Sequence, residues 1–476
     1  MNPPISFNDI LLTAPLTILI ITMIVVLVAE ATREKSDAFT PWFSIAGLIA
    51  ASAAAFSSID LPGIAYAGMV NTGGYADYFA IVFCVAGILT IMLSPKYIRQ
   101  QGIELGEYYA LLLSSIVGMI LMASAADLIV FFLGLEIMSV SFYILAGFNR
   151  SRSTSNEAAL KYFLLGAFAT GFLLYGIALV YGSTGSTNIM RVITVAPSAL
   201  SSTMFSVGLG LLLIGLVFKV AAVPFHMWVP DVYEGSPTTV SGFMSTGGKA
   251  AAFSALLIIF APSLISSVVN VQDVLAVVAA LSMVVGNVLA ISQTNLKRML
   301  AYSSIAHAGY ILTGVVAGND SGAQGVLFYL LSYSMMNIGA FGVLSIREKS
   351  DGSNVSYEDY TGLSTRKPVL AGLMALFMFS LTGIPPFAGF FGKYYVFVGA
   401  IKAGFTWLAI IGVLMSVVSA YYYLRVVVLM YFREQDSVTE EHVPIMGNIA
   451  LIISALALLL LGIFPSSVLQ YTQHFF

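Results

Sequence analysis

The chain has 476 residues, of which 59% are hydrophobic and only 9% are charged, with a formal net charge of −3. Soluble domains carry about 25% charged residues, so this composition excludes a soluble protein and predicts an all-α polytopic membrane protein. Cys84 is the only cysteine, which excludes a cysteine-ligated iron–sulfur cluster and an internal disulfide.

The N-terminal apolar run is predicted to be a retained membrane span and not a cleaved signal peptide. Asp9 stands before this run, no Lys or Arg does, and no small-residue cleavage site follows it. The first basic residues, Arg33 and Lys35, come after the run.

Fourteen apolar segments are long enough to be considered as membrane spans, since a crossing helix needs about 20 apolar residues. Their limits are roughly 8–29, 41–57, 75–95, 108–123, 126–148, 156–181, 204–222, 238–260, 270–292, 297–316, 321–346, 367–398, 404–431 and 447–469. The fourth and fifth spans are separated only by the short turn Ser124–Asp127, so their division depends on that turn. The longest charged loop, 347–367, is predicted to be a solvated connector.

The basic residues of the loops are strongly asymmetric if the N-terminus lies outside and the loops alternate. The outside loops then hold only Arg191 and Lys402. The inside loops hold Arg33, Lys35, Lys96, Arg99, Arg150, Arg152, Lys297, Arg298, Arg347, Lys349, Arg366, Lys367 and Arg433. This positive-inside bias supports the span count and predicts both termini on the outer side of the membrane.

Five basic residues fall within predicted spans: Lys161, Lys219, Lys249, Lys393 and Arg425. Lys161 and Arg425 lie close to inside ends, where a long side chain can also reach the interface without any further role. The other three lie deeper, where a charge is costly and usually functional. Alternatively, each of these three lysines faces a water pocket and has no transport function.

Glu136 is the one acidic residue predicted near the middle of a span, the fifth. An isolated carboxylate at this depth would bind a proton or find a partner. We expect a lysine of a neighbouring span to be that partner.

Prolines interrupt the seventh and the twelfth spans, which lie five spans apart. Pro224 follows Lys219, and Pro385 and Pro386 precede Lys393. Because five is odd, a second five-helix unit must be inverted relative to the first. Interrupted spans at matching positions of inverted units are typical of transport pathways. The alternative is a simple proline kink, which is common in membrane helices.

The four histidines, at positions 226, 307, 442 and 474, have no metal-ligand spacing, and we predict no metal site. His307 lies within a predicted span beside serines and a tyrosine, and His226 lies in the first break. Each is a secondary relay candidate, because an imidazole exchanges its proton near neutral pH. The alternative for both is a structural hydrogen bond between packed helices.

Four motifs, in this order, carry a resemblance that extends over essentially the whole chain. They are LGLE at 133–136, VFKVAAVPFHMWVPDVYEGSPTTVSGFMSTGGKAA at 217–251, LKRMLAYSSIAHAGY at 296–310 and TGIPPFAGFFGKYY at 382–395. The chain resembles the proton-translocating, antiporter-like membrane subunits of respiratory complex I. Among them it is most similar to subunit N of the bacterial NADH–quinone oxidoreductase.

The resemblance implies a fold of fourteen transmembrane helices with two inverted five-helix repeats and broken helices 7 and 12. The implied parts are helices 1–3 at 1–104, the first repeat (helices 4–8) at 105–262, the second repeat (helices 9–13) at 268–433 and helix 14 at 434–476.

The resemblance also implies a proton relay through Glu136, Lys219, Lys249 and Lys393, with Lys161 as the expected basic residue of helix 6. Lysine at position 393 favours subunit N, because subunit M and the antiporter D subunit typically have glutamate there.

The resemblance further implies that redox chemistry belongs to other subunits, so that this chain binds no cofactor itself. NADH, FMN, iron–sulfur clusters and quinone are then expected in the whole complex. The implied partners are membrane subunits of the M and K type in the bacterial inner membrane, besides the lipid bilayer, and no nucleic acid is expected. The alternatives are a cation/proton antiporter subunit and a membrane subunit of a hydrogenase- or ferredoxin-driven complex.

Overall fold

The computed structural model describes residues 6–32, 39–260, 264, 269–434, 444–473 and 475. These residues are almost entirely helical. The helices of the N-terminal half are α1 (Phe7–Leu12), α2 (Ala14–Thr32), α3 (Phe39–Ser58), α4 (Gly74–Gln100), α5 (Glu107–Ser124), α6 (Leu128–Ala146), α7 (Ser153–Thr184), α8 (Ile189–Ala199), α9 (Thr203–Lys219), α10 (Trp228–Gly235), α11 (Thr238–Phe243) and α12 (Lys249–Ile259).

The C-terminal half is also helical. Its helices are α13 (Val269–Ile291), α14 (Leu296–Val316), α15 (Asp320–Arg347), α16 (Leu363–Arg366), α17 (Pro368–Thr382), α18 (Ala388–Lys402), α19 (Thr406–Phe432), α20 (Ile445–Ile463) and α21 (Pro465–Thr472). A π-helical segment, Met244–Gly248, joins α11 to α12 into one rod. Short 3-10 turns lie at Tyr66–Gly68 and Glu358–Tyr360.

Within the described ranges, twelve helices are long and apolar enough to cross a membrane. The predicted seventh and twelfth spans are not among them. The seventh corresponds to α9, which ends at Lys219 and is too short, and the twelfth is divided into two short helices, α17 and α18. The all-α polytopic architecture predicted from composition is therefore confirmed.

The division between α5 and α6 falls where the short turn Ser124–Asp127 predicted it. Asp127 is the N-terminal cap of α6, and its carboxylate accepts hydrogen bonds from Ile129 N (2.8 Å) and from the Thr187 hydroxyl (2.7 Å). A capping aspartate satisfies a backbone donor that the first turn leaves free. This cap starts a new helix after only three residues of turn.

Two features between and beside the spans are absent from the sequence prediction. Strands β1 (Gly63–Ala65) and β2 (Val70–Thr72) form a small antiparallel hairpin, in which Gly63 pairs with Thr72. The amphipathic helix α8 occupies part of the connection between α7 and α9.

The loop after α15 begins inside the protein, which corrects the prediction of a fully solvated connector. Glu348 is only 1% exposed, forms an ion pair with Arg152 (3.0 Å) and accepts hydrogen bonds from Tyr97 OH (3.1 Å) and from the Thr238 hydroxyl. A buried carboxylate needs such partners. These contacts join the start of this loop to α4, to α11 and to the connection between α6 and α7.

Helices α5 and α6 cross at very short range because glycines face each other. A β-carbon added to Gly118 would lie 2.5 Å from Met138 N, and one added to Gly134 would lie 2.8 Å from Gly118 O. Small residues allow membrane helices to approach this closely. The contact fixes α6 against α5 through Gly134 and Met138. Glu136 then lies on the side of α6 turned away from this contact, since two helical residues span about 200°.

Candidate functional site

Lys219 is the last residue of α9, immediately before the first break, and only 7% of it is exposed. Its ammonium group donates a hydrogen bond to Ser139 Oγ (2.8 Å) and a longer one to Tyr143 OH (3.4 Å) on α6. The rings of Tyr143 and Tyr162 lie 5.6 and 5.9 Å from Nζ. Aromatic faces at this distance attract a cation.

Glu136 lies on the same face of α6 as Ser139 and Tyr143. The sequence predicted a lysine of a neighbouring span as its partner, and Lys219 lies nearby without forming an ion pair with it among the described residues. The Oε1 atom of Glu136 is buried and has no hydrogen-bonding partner. The Lys219 ammonium takes the Ser139 hydroxyl, one helical turn further along α6. The carboxylate and the ammonium are therefore neighbours without a shared hydrogen bond.

Lys249 begins α12, after the π-helical segment, and is 2% exposed. Its ammonium donates to the backbone carbonyl and to the hydroxyl of Ser304 on α14. The ring of Tyr333 lies 5.7 Å from Nζ. The side chain of Lys249 thus contacts the second half of the chain.

One face of α14 connects the surroundings of Lys249 to those of Lys393. Ser304, His307 and Tyr310 follow each other at three-residue intervals, which places them on the same side of the helix. Ser304 accepts from Lys249, and the Tyr310 ring lies 4.8 Å from the Nζ atom of Lys393. His307 stands between these two contacts.

His307 is buried and both of its ring nitrogens face tyrosine hydroxyls. Nδ1 is 2.9 Å from Tyr329 OH, and Nε2 is 3.1 Å from Tyr423 OH. The Tyr423 hydroxyl is in turn hydrogen-bonded to Ser303. A neutral imidazole has one donor and one acceptor nitrogen, so the ring bridges the two tyrosine hydroxyls. Both ring nitrogens are thereby occupied by tyrosines and neither by a lysine.

Lys393 lies in α18, on the C-terminal side of the second break, whereas Lys219 lies on the N-terminal side of the first. It is 5% exposed. Its ammonium donates to Leu381 O (3.1 Å), Thr382 O (2.8 Å) and Ser416 Oγ (2.7 Å). Two of these acceptors are carbonyls at the end of α17, which have no partner within that helix.

The two breaks coincide with the prolines picked out in the sequence. Pro224 lies between α9 and α10, and Pro385 and Pro386 lie between α17 and α18. His226, in the first break, is half-buried, and its Nδ1 atom has no partner. Irregular backbone at membrane depth requires protein or water around it.

Lys161 is placed in a surface cluster and apart from the three buried lysines. It is ion-paired with Asp231 (2.6 Å) and Glu157 (2.7 Å), and its side chain is 40% exposed. Arg298 extends the cluster by pairing with Asp231 and Glu234, both at 2.8 Å.

Sequence reasoning did not identify the hydroxyl-bearing side chains that contact the lysines. They are Ser139, Tyr143, Ser304, Ser416 and Tyr333. Tyr329 and Tyr423, which bond to His307, and Asn337, which bonds to Tyr333, were not identified either. Serines in membrane helices commonly bond only to their own backbone, so their position in the sequence did not distinguish them. Among the described residues, no group of three or more His, Cys, Asp or Glu side chains is arranged to hold a metal.

Residues 125–419 match the family model described as NADH:quinone oxidoreductase/Mrp antiporter, transmembrane. The chain belongs to this family. Two relatives show its place within the family. It is 47% identical to NADH-quinone oxidoreductase subunit N of Trichlorobacter lovleyi over 95% of this chain and 94% of that protein. It is 44% identical to subunit N of Salinibacter ruber over 94% and 92% of the two chains.

Solved structures of related complexes share the fold. A chain of respiratory complex I from Thermus thermophilus with bound aureothin matches with a TM-score of 0.84 and 37% identity, over 96% of this chain and 98% of that one. A chain of the Mrp complex from Dietzia sp. matches with a TM-score of 0.85 and 20% identity, over 98% and 96%. This member of the NADH:quinone oxidoreductase/Mrp antiporter family is a multi-pass membrane subunit of the antiporter-like, subunit N type.

Proposed function

We propose that this chain translocates protons as subunit N of an NADH–quinone oxidoreductase, through a relay of Lys219, Lys249 and Lys393 with Glu136 beside the first of them. Lys161, His226 and His307 are secondary relay candidates. Quinone reduction occurs in other subunits and drives the relay.

One observation carries this proposal: three buried lysines are held only by neutral groups. Each is at most 7% exposed, and in the described part of the chain none of the three forms an ion pair. Their hydrogen bonds end on hydroxyls and backbone carbonyls. An ammonium group without a bound carboxylate can give up its proton without separating an ion pair, which suits a relay.

His307 and the tyrosine hydroxyls carry the proton between Lys249 and Lys393 in this relay. The imidazole has a hydrogen-bonded group on each nitrogen and can therefore accept a proton on one side and release one on the other. Water in the two breaks would link the ends of the relay to the two sides of the membrane.

We further propose fourteen spans with two inverted five-helix repeats, at 105–262 and 268–433, flanked by 1–104 and 434–476. Support comes from equivalent packing, since α5 packs on α6 as α13 packs on α14. The membrane is then the bacterial inner membrane, the neighbours are subunits of the M and K type, and this chain binds no cofactor itself.

The deciding experiment is the replacement of Lys219 by alanine in the assembled complex. We expect proton uptake by membrane vesicles and NADH-driven quinone reduction to fall together by about 10-fold or more, because a general acid–base group usually contributes at least that much. Assembly is checked on native gels. A fully assembled variant that still pumps protons at the normal rate would show that the relay does not pass through Lys219.

Orientation is tested separately, because the charge asymmetry of the loops predicts which of them face outwards. Cys84 is first replaced by serine, and then Ser183→Cys and Ser350→Cys are made one at a time. An impermeant thiol reagent added outside intact cells should label position 183 and leave position 350 unlabelled. Labelling of position 350 from outside would reverse the proposed topology.

The second candidate function is that of a cation/proton antiporter subunit, favoured by the fold shared with the Mrp complex chain. Lysine at position 393, where the resemblance implies glutamate for antiporter D subunits, supports the first proposal. Co-purification in mild detergent separates the two, since redox subunits accompany only a subunit of the oxidoreductase.

A further inference from the structure

Three groups on one face of α6 surround the Lys219 ammonium. Glu136, Ser139 and Tyr143 are spaced by three and four residues, so their side chains follow one another along the helix. Lys219 contacts the second and the third of them, and the Oε1 atom of the first is buried without a partner. The strongest acceptor of the three is thus the one that the ammonium does not use.

We propose that Ser139 is a positioning residue that holds the Lys219 ammonium one helical turn away from Glu136 and so keeps this buried ion pair open. The inference rests on the proposed relay and adds a residue to it. Ser139 itself takes no proton. It decides which acceptor the lysine uses.

The hydrogen bonds of Ser139 define what its hydroxyl can offer. Its hydrogen is donated to Leu135 O within α6. Only the lone pairs of the oxygen face Lys219, so the hydroxyl acts as an acceptor. The residue is 0% exposed, which leaves no bulk water to compete for this position.

The alternative acceptor is within reach of the same side chain. Glu136 precedes Ser139 by three residues, a rise of about 4.5 Å along the helix. Lysine has a flexible four-carbon stem, so its ammonium can move by this distance while α9 stays in place. A carboxylate binds an ammonium more strongly than a hydroxyl does.

The choice of acceptor matters for proton transfer. On Ser139, the ammonium has a neutral partner and can pass its proton on without leaving a paired carboxylate behind. On Glu136, the pair would have to separate before or during the transfer, which is costly in a buried site. Ser139 therefore lowers the barrier by competing with Glu136 for the same ammonium.

The test uses Ser139→Ala in the whole complex, alone and together with Glu136→Gln. Without the hydroxyl, Lys219 should pair with Glu136 and keep its proton to higher pH. We expect NADH-driven quinone reduction at neutral pH to fall about fivefold, the size expected for one hydrogen bond, and its pH optimum to move upwards. Glu136→Gln alone should move the optimum downwards, because it removes the partner that favours charged Lys219.

The double variant, Ser139→Ala with Glu136→Gln, decides whether Ser139 acts through Glu136. If Ser139 acts through Glu136, Ser139→Ala should cause no further change when position 136 is already glutamine. Ser139→Thr, which keeps a hydroxyl, should retain the wild-type pH optimum. Ser141→Ala is the matched control on the same helix, because the Ser141 hydroxyl bonds to Ile137 O and Ser114 and does not contact Lys219.

A loss that is equally large with and without Glu136 would make Ser139 a packing residue and overturn the inference. The inference would also be overturned if Ser139→Ala kept the wild-type rate and pH optimum of quinone reduction, or if its pH optimum moved downwards. If Ser139→Ala does not assemble, Ser139→Cys carries the test, because a thiol is of similar size and a weak acceptor. Lys219→Ala distinguishes failure of this inference from failure of the proposed relay. If Lys219→Ala still pumps protons, the relay itself is wrong. If Lys219→Ala is inactive but the effects of Ser139→Ala and Glu136→Gln are additive, only the role of Ser139 is wrong.

Discussion

Replacing Lys249 by alanine should abolish most proton translocation and, with it, most quinone reduction by the whole complex. We expect a loss of about 10-fold or more in both rates, measured as proton uptake and NADH oxidation by membrane vesicles. The reason is position. Lys249 is 2% exposed and its ammonium points to Ser304 on α14. In the proposed relay it is therefore the group that joins the first half of the chain to the second.

Lys249→Arg should be as inactive as Lys249→Ala, although it keeps the positive charge. Arginine is effectively always protonated and cannot release a proton to a neighbour. Lys249→Met serves as the control for side-chain volume, because it fills similar space without charge. A fully assembled Lys249→Arg complex that pumps at the wild-type rate would show that charge is required at this position and proton exchange is not.

Lys393→Ala should impair proton translocation far more than Lys161→Ala. Lys393 is 5% exposed and lies at the second break, whereas Lys161 is 40% exposed and forms ion pairs at the surface. Exposed ion pairs usually contribute between 0 and about 1 kcal/mol, so removing Lys161 should cost at most about fivefold. Lys393→Ala should cost about 10-fold or more.

The matched control for this comparison is Lys402→Ala, on the same helix as Lys393. Lys402 is exposed at the end of α18 and bonds to the Ser321 hydroxyl. Its loss should leave pumping unchanged. Equal defects in Lys393→Ala and Lys161→Ala, with normal assembly of both complexes, would contradict the distinction between a buried relay lysine and a surface one.

The positions of the twelve long helices found in the described residues could be predicted because each is a long apolar run, and even the short turn Ser124–Asp127 was marked by a capping aspartate. The two breaks could also be predicted, because proline removes a backbone donor and disrupts the helix. The hairpin at Gly63–Thr72 and the buried start of the loop at Glu348 could not. Glu348 depends on contacts with Arg152 and Tyr97, which are far away in the sequence. The hairpin depends on a pairing of two three-residue strands and on a bridge from Val70 to Ala125.

The depth of the three relay lysines was evident from sequence, because a charged residue within an apolar span stands out. Their partners were not. Ser139, Ser304 and Ser416 differ from other serines of the spans only in what the fold brings opposite them. A lysine of a neighbouring span was expected beside Glu136, and Lys219 lies there. Its ammonium, however, bonds to Ser139, one helical turn further along α6.

The hydrogen bonds of Lys393 couple its protonation to the backbone at the second break. An ammonium group has three N–H donors, and here the three have three acceptors: Leu381 O, Thr382 O and Ser416 Oγ. A neutral amine has only two hydrogens. Each time Lys393 gives up its proton, one of the three acceptors loses this donor. Thr382 O would keep a hydrogen bond from the Ser416 hydroxyl (3.1 Å). Leu381 O cannot be bonded by the residue four positions later, because Pro385 has no N–H. The charge of Lys393 therefore bears directly on the backbone carbonyl at Leu381, next to the second break.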